Sequence, residues 1–497
     1  MRIAIIGAGF AGLATGKSLK QFGHEVTIYE KAPDVGGVWS RTRRYPGLGT
    51  QNNKGTYCLI DLPMPKSYPE WPSGEQMQEY LASYSRMFDL DPHTRLSTEV
   101  VKAELDESGQ TPRWTVTANG PEGTSTEEYD YLVVANGIFS LPFVPSYPGQ
   151  AEFEAAGGRV AAPSDVHELD EVAGKHVLVI GYGKSSCDIA SAITGTTAST
   201  TVVARNLLWK MPKKLGGVVN FKYFMLTRLG EALFPYRKPT PAEKFLHGPG
   251  APIRDGMLKS LQAVATKQLK LEQMGLVPEG DFERIARSTV SLTSNGFYEK
   301  AAKGELSVKR ECQITRLFVE DGRPMAELSD GSTLPADLVI AATGWRQEVP
   351  FLAPELQQRL TDEKGNYELY RFILPQEVPA LAFSGYNSSF FSPLSAEMAG
   401  LWIANHLMGR SVMPPLEERK RIVAERLQWM EERTEGKHAR GTNIIPFSMH
   451  NIDESLAGMG LRVPPLQRAR EWLLPVSPQD YTWVGQELMR RKAGLDK

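Results

Sequence analysis

The 497-residue chain has only three cysteines, Cys58, Cys187 and Cys312. They are too few and too scattered for a disulfide framework or a cysteine-based zinc site, and no Cys-x-x-Cys pair exists to relay electrons as a dithiol. They read as small core residues in a reducing cytoplasm. A charge imbalance is also lacking: 56 Lys and Arg stand against 58 Asp and Glu, a formal net charge of -2, so no global field draws the chain to nucleic acid. No uncharged run reaches the ~18 residues of a spanning helix, and stable membrane insertion is not expected. The start, Met1-Arg2-Ile3-Ala4-Ile5-Ile6-Gly7, runs directly into a strand and turn and leaves no room for a signal peptide. These absences predict a cytoplasmic protein with a small-molecule partner, and a homodimer is compatible with them. Hydrophobic residues at 41% and charged residues at 23% belong to an ordinary globular chain, long enough for roughly three domains or two large ones with insertions.

Arg2 to Ile6 is a short apolar run, Phe10 to Phe22 has a helical pattern closed by Gly23, and Glu25 to Tyr29 is a second short strand ending at Glu30. A second copy begins at His176-Val177-Leu178-Val179-Ile180-Gly181, continues through a helix near Cys187 to Ile193, and returns on Thr201 to Ala204. Each unit is followed downstream by an apolar strand with a terminal glycine, Tyr131 to Gly137 and Leu338 to Gly344. Strands this rich in Val and Ile suit a parallel sheet covered on both faces.

Gly7-x-Gly9-x-x-Gly12 has a strand before it and a helix after it. Gly7 permits the tight turn, Gly9 opens bare backbone to a pyrophosphate, and Gly12 lets helix and strand close up. The helix N-terminus offers its N-H groups to the phosphates. Glu30, at the end of the next strand, can accept hydrogen bonds from both ribose hydroxyls and repels a 2'-phosphate. The second turn reads Gly181-x-Gly183-x-x-Ser186, and Arg205 stands after its second strand where an acid would otherwise lie. A guanidinium there can pair with a 2'-phosphate. One FAD-type site and one NADPH-type site imply hydride transfer from nicotinamide to flavin.

The expected fold is therefore α/β, with two Rossmann-like dinucleotide-binding domains, the NADPH domain inserted into a discontinuous FAD domain. Residues 1-168 form the first part of the FAD domain, with the Pro-rich stretch Leu141 to Gly149 as the way out. Residues 169-345 form the NADPH domain, carrying a helical insertion at about 210-280. Residues 346-497 return to the FAD domain and add a C-terminal helical region, including an apolar helix from Leu394 to Met408. The insertion reads as helices packed on the core rather than a membrane contact through Phe221, Tyr223, Phe224, Leu229 and Phe234.

These residues resemble the flavin-containing monooxygenase family over nearly the whole chain. The resemblance is carried by Glu30 followed by Gly36-Gly37-Val38-Trp39, by Gly181 to Ala190, by Asn53 to Pro63 with Tyr68-Pro69-Glu70-Trp71-Pro72, and by Leu381 to Gly385 with Ala396-Glu397. It implies FAD contacts at Gly37, Val38, Trp39, Val100, Gly385 and Leu394, and NADPH contacts at Ser185 and Thr343. Ser392-Pro393-Leu394 reads as a serine cap followed by proline, opening a helix whose N-H groups face the flavin. It also implies that dioxygen adds to the reduced flavin and that a hydroperoxyflavin oxygenates a nitrogen or sulfur centre of a small molecule. The alternatives are Baeyer-Villiger oxygenation of a ketone, or an NADPH-flavin oxidoreductase that oxygenates nothing. Three departures stand out. Gln51 takes the place of the family's catalytic asparagine, with Asn52 and Asn53 beside it. Ala162 takes the place of a linker histidine, and Asn136 that of a threonine. The arginine used by related Baeyer-Villiger enzymes falls on Thr289, with Arg287 close by.

Overall fold

In the computed structural model, residues 1-287 and 291-495 are described; Thr289 lies outside them. Two five-stranded parallel sheets organise the chain. In the first, Arg2–Ile6 lies between Glu25–Tyr29 and Tyr131–Val134, with Thr94–Arg95 beyond the one and Leu381–Phe383 beyond the other. In the second, His176–Ile180 lies between Ser199–Ala204 and Leu338–Ala341, flanked by Ser307–Arg310 and Arg159–Ala161. The strands beside each turn are buried on both faces, as their Val- and Ile-rich runs require. Each unit also carries a three-stranded antiparallel sheet, built on Glu99–Asp106 and on Ile314–Glu320.

The pairing of Leu381–Phe383 with Tyr131–Val134 returns the C-terminal third of the chain to the first sheet. The crossing segments meet each other, Leu141–Pro142 pairing antiparallel with Trp345–Arg346. One strand sits differently from the expectation. Arg159–Ala161, read above as part of the first domain, is an edge strand of the second sheet. It is only three residues long and too short to show a pattern of its own.

The segment after Met211 folds into short helices and the longer helix Ala251–Gln268. Phe221 and Phe234 are buried in the core, while Tyr223 and Phe224 remain exposed. Among the described residues, no helix is long and apolar enough to cross a membrane. Helix Ser392–Leu407 is buried along nearly its whole length and packs on helix Phe10–Gln21. Gly400 permits that approach, since a Cβ there would stand 3.0 Å from the Thr15 Cα. The three cysteines are free and buried.

Candidate functional site

At the first turn the glycines are required by contact. Gly7 has φ +112, and a side chain there would strike the Ala135 carbonyl; a Cβ on Gly12 would overlap the Gly7 carbonyl, 2.8 Å from its carbon. Gly9 faces Gly37 backbone to backbone, a Cβ on Gly37 lying 3.1 Å from the Gly9 Cα. The Gly36 N-H donates to the Ala8 carbonyl at 3.0 Å. The paired glycines thus form a shallow cradle.

Glu30 is buried, and each of its carboxylate oxygens accepts one backbone N-H, from Ala8 at 2.8 Å and Ala32 at 2.9 Å. Burial pushes its pKa up, and these two N-H groups pull it back. Each oxygen keeps a lone pair for a ribose hydroxyl. The Glu30 carbonyl accepts the Thr98 N-H at 2.8 Å, two residues before buried Val100. Gly385, at the far end of the sheet, lies against Ala11, a Cβ on it reaching the Ala11 Cβ at 2.6 Å.

Beyond Gly37 and Val38 the chain passes through Trp39 to the Thr50-Gln51-Asn52-Asn53 segment. The Trp39 Nε1, Thr50 Oγ1 and Asn52 Oδ1 are all buried without a hydrogen-bond partner. Three orphaned polar atoms on one short stretch could each pair with a polar ligand, and buried polar groups are otherwise nearly always paired. The Asn52 Nδ2 donates to the Phe390 carbonyl, and the Asn53 Oδ1 accepts from Thr56. Of these three amides, that of Gln51 alone makes no side-chain hydrogen bond among the described residues; its backbone carbonyl accepts the Trp71 indole N-H at 3.1 Å. Asn52 therefore anchors the loop that leads into Leu394, and Gln51 is the amide free to meet a ligand.

Ser392 does not cap the helix it opens. The N-cap is Phe391, and the Ser392 hydroxyl donates back to the Ser389 carbonyl at 2.7 Å. Pro393 keeps the place in the first turn that its fixed φ favours, and the Leu394 N-H has no carbonyl partner within the helix.

The second turn repeats the first with one adjustment. Gly181, also at φ +112, donates to the Val203 carbonyl at 2.9 Å, as Gly7 does to Tyr29. Ser186 stands where Gly12 stands in the first turn, and its hydroxyl donates to the Gly181 carbonyl at 2.6 Å. Gly183 is the N-cap of helix Lys184–Ile193. The Ser185 hydroxyl accepts from Tyr45 at 2.9 Å, joining the two units across the cleft. Arg205 is exposed at the end of its strand, with no carboxylate partner among the described residues. Lys213 does not join it: it donates to the Asn295 Oδ1 at 2.7 Å and lies over the Trp71 ring.

The residues before the two terminal glycines pin opposite linkers. Thr343 donates to the Phe143 carbonyl, and Asn136 donates to the Glu348 carbonyl at 2.8 Å. The longer amide in place of threonine spans that second gap. Ala162 is fully buried in a tight turn, its N-H on the Asp165 carboxylate at 2.9 Å. His167 instead reaches the first unit, its Nδ1 3.1 Å from the Arg44 carbonyl. Arg287 pairs with Glu435 at the surface.

Sequence reasoning missed a buried charge cluster that ties the site together. Lys17 on the first helix meets both Asp61 and Glu397, and Glu397 also accepts from Tyr84 at 3.0 Å and from the Ile60 N-H. Glu397 is buried, which raises its pKa, and Lys17 opposes that shift. The available signal was a lone carboxylate in an otherwise apolar helical run.

Residues 1-244 match the family described as flavin-binding monooxygenase-like. Over that stretch the chain is similar to this family. It is 28% identical to the probable flavin-containing monooxygenase 1 of Arabidopsis thaliana, covering 98% of this chain and 97% of that one. Its fold is similar to that of S-allyl-L-cysteine S-oxygenase from Allium sativum, with a TM-score of 0.62, 18% identity and 99% and 93% of the two chains covered. It is also similar to cyclohexanone monooxygenase bound to ε-caprolactone, with a TM-score of 0.68, 18% identity and 93% and 99% covered. The protein is a flavin-dependent monooxygenase that uses FAD, NADPH and dioxygen. The orphaned polar atoms and the Gly9-Gly37 cradle fit the flavin cofactor, and Arg205 fits a 2'-phosphate.

Proposed function

We propose that this monooxygenase oxygenates a nitrogen or sulfur centre of a small molecule. Substrate, dioxygen, NADPH and one proton give the oxygenated substrate, NADP+ and water. The observation that carries the choice of centre is Arg287. Ketone oxygenation of the Baeyer-Villiger type calls for a fixed cation beside the reacting atoms, whereas this guanidinium is committed to Glu435.

In this reading FAD lies on Gly7, Gly9 and Gly12, with Glu30 taking the ribose hydroxyls and Val100 beside the adenine. Gly37, Val38, Trp39, Gly385 and Leu394 line the rest of its site. NADPH lies on Gly181, Gly183, Ser185, Ser186 and Thr343, and Arg205 pairs with its 2'-phosphate. Bound FAD supplies the two-electron relay from NADPH to dioxygen. The protein's share is positioning and exclusion of water. The Gln51 amide donates and accepts where nicotinamide and flavin meet, Asn52 holds the Phe390 loop over them, and buried Phe390, Phe391 and Trp39 keep the site dry. We also assign the enzyme to a reducing cytoplasm, on its three unpaired thiols.

The test is turnover of a panel of thioethers, amines and ketones, with NADPH consumed compared with product and hydrogen peroxide formed. Oxide formation from thioethers or amines supports the proposal. Esters formed from ketones would replace it with the Baeyer-Villiger reading. Full conversion to peroxide with every substrate would leave only an NADPH oxidase.

A further inference from the structure

A cavity of about 630 Å³ opens between the two units, on the outer side of helix Lys184–Ile193. None of the glycines of either turn lines it, nor do Glu30, Ser186 or Arg205. It meets the second turn only through Lys184 and through Tyr45, which donates to Ser185. Its walls come from the Arg41 to Thr50 loop, the start of helix Gly74–Met87, His167 and the segment that presents Asn295 and Lys300.

The lining is biased toward positive charge. Arg41, Arg44, Lys184, Lys213 and Lys300 face it, against Glu75, Glu168 and Asp188. Lys184 is neutralised by Asp188. Among the described residues, Arg41, Arg44, Lys213 and Lys300 have no carboxylate within ion-pair distance. Lys300 spends its protons on the carbonyls of Ser191 and Thr194, at 2.6 and 3.3 Å. Lys213 is partly buried, and its partners among the described residues are the neutral Asn295 amide and the Trp71 face, 5.2 Å from its nitrogen. Burial, with Lys184 nearby, pulls its pKa down to about 8. A half-buried ammonium without a counterion gains from any anion placed beside it.

The cavity also touches the reaction centre proposed above. Trp71, whose face carries Lys213, donates its indole N-H to the Gln51 carbonyl. Thr50, whose buried hydroxyl has no partner, lines the inner end. A molecule with an anionic group at Lys213 or Arg44 can extend along the same cavity to Thr50, the residue before Gln51.

We propose that this cavity binds the carboxylate of the substrate, so that the enzyme selects small amines or thioethers that carry a carboxylate. This rests on the nitrogen or sulfur reading of the reaction. The experiment compares 3-(methylthio)propanoate with its methyl ester on the holoenzyme, by steady-state kinetics and by calorimetric titration, in wild type, Lys213→Met and Arg44→Gln. A charge-assisted contact gives the acid a KM and Kd about tenfold lower than the ester. Either substitution, in protein that melts as wild type does, brings the acid-to-ester ratio close to one. Equal binding of acid and ester by the wild type would overturn the proposal, as would a ratio that both variants preserve. A higher KM for NADPH in the variants, with the ratio unchanged, would assign the cavity to the dinucleotide and overturn it too. If neither thioether is oxygenated, the nitrogen or sulfur reading fails, and calorimetry still decides the carboxylate site.

Discussion

Replacing Gly12 by alanine should empty the FAD site, and the structure gives the reason and the size. The added Cβ overlaps the Gly7 carbonyl and stands 2.8 Å from its carbon, where ordinary contact begins at 3.4 Å. Helix Phe10–Gln21 would have to retreat toward helix Ser392–Leu407, which packs so closely that a Cβ built on Gly400 would stand 3.1 Å from the Ala14 carbonyl oxygen. Overpacking that cannot relax costs about 3 kcal/mol at the upper end of its range, and it falls on the turn that meets the pyrophosphate. Carried into binding, this weakens FAD roughly a hundredfold. The assay is the flavin-to-protein ratio after purification, followed by titration of the apoprotein with FAD. Ser186→Gly is the contrast, because the second turn already accommodates a side chain. It loses the 2.6 Å bond to Gly181, about 1 kcal/mol, and raises the KM for NADPH about fivefold. A Gly12→Ala protein that purifies with full flavin and wild-type affinity would refute the reasoning.

Arg205→Gln should lower kcat/KM for NADPH about 10- to 100-fold, the loss of a charge-assisted contact of about 1.5 to 3 kcal/mol, while leaving NADH turnover unchanged in parallel initial-rate assays. Lys17→Met leaves Glu397 buried without its cation and should cost about 3 to 5 kcal/mol in urea unfolding; Lys17→Met with Glu397→Gln should regain most of it. His450 lies between Glu231 and Glu243. Burial works against its charge, but the two carboxylates overcome it and hold the pKa up to about 10, from an ordinary 6.5. Its stabilisation is therefore complete below pH 6.5 and is lost as pH rises toward 10, so the Tm advantage of wild type over His450→Gln should shrink across that window. Glu243 is shifted downward, burial being outweighed by His450 and Thr240, so its share is lost only as pH falls below the ordinary carboxylate range.

Both nucleotide turns were legible in the sequence because everything that defines them is local. A strand, three small residues at fixed spacing, a helix and the residue after the next strand all lie on one short stretch. The return of the chain to the first sheet was legible for a similar reason, from the apolar strand Leu381–Phe383 and the helix after it. The misreadings have equally concrete causes. Ser392 has the composition of a cap, but its hydroxyl turns back to Ser389 and the chain enters the helix at Phe391. Arg159–Ala161 joins the second sheet through one long-range pairing with Leu338–Ala341 that no local pattern announces. The Lys17-Asp61-Glu397-Tyr84 cluster is drawn from four distant segments. The basic cavity is likewise assembled from separate loops. The choice among Gln51, Asn52 and Asn53 needed side-chain geometry, since only the hydrogen bonds to Phe390 and Thr56 show which amides are already engaged.

The most direct test of the account is turnover of a thioether by the FAD-loaded enzyme with NADPH under isotopically labelled dioxygen, followed by mass spectrometry of the product. The account predicts a sulfoxide carrying one labelled oxygen atom, formed in proportion to the NADPH consumed. NADPH consumption that yields only labelled hydrogen peroxide, with the thioether unchanged, would contradict it.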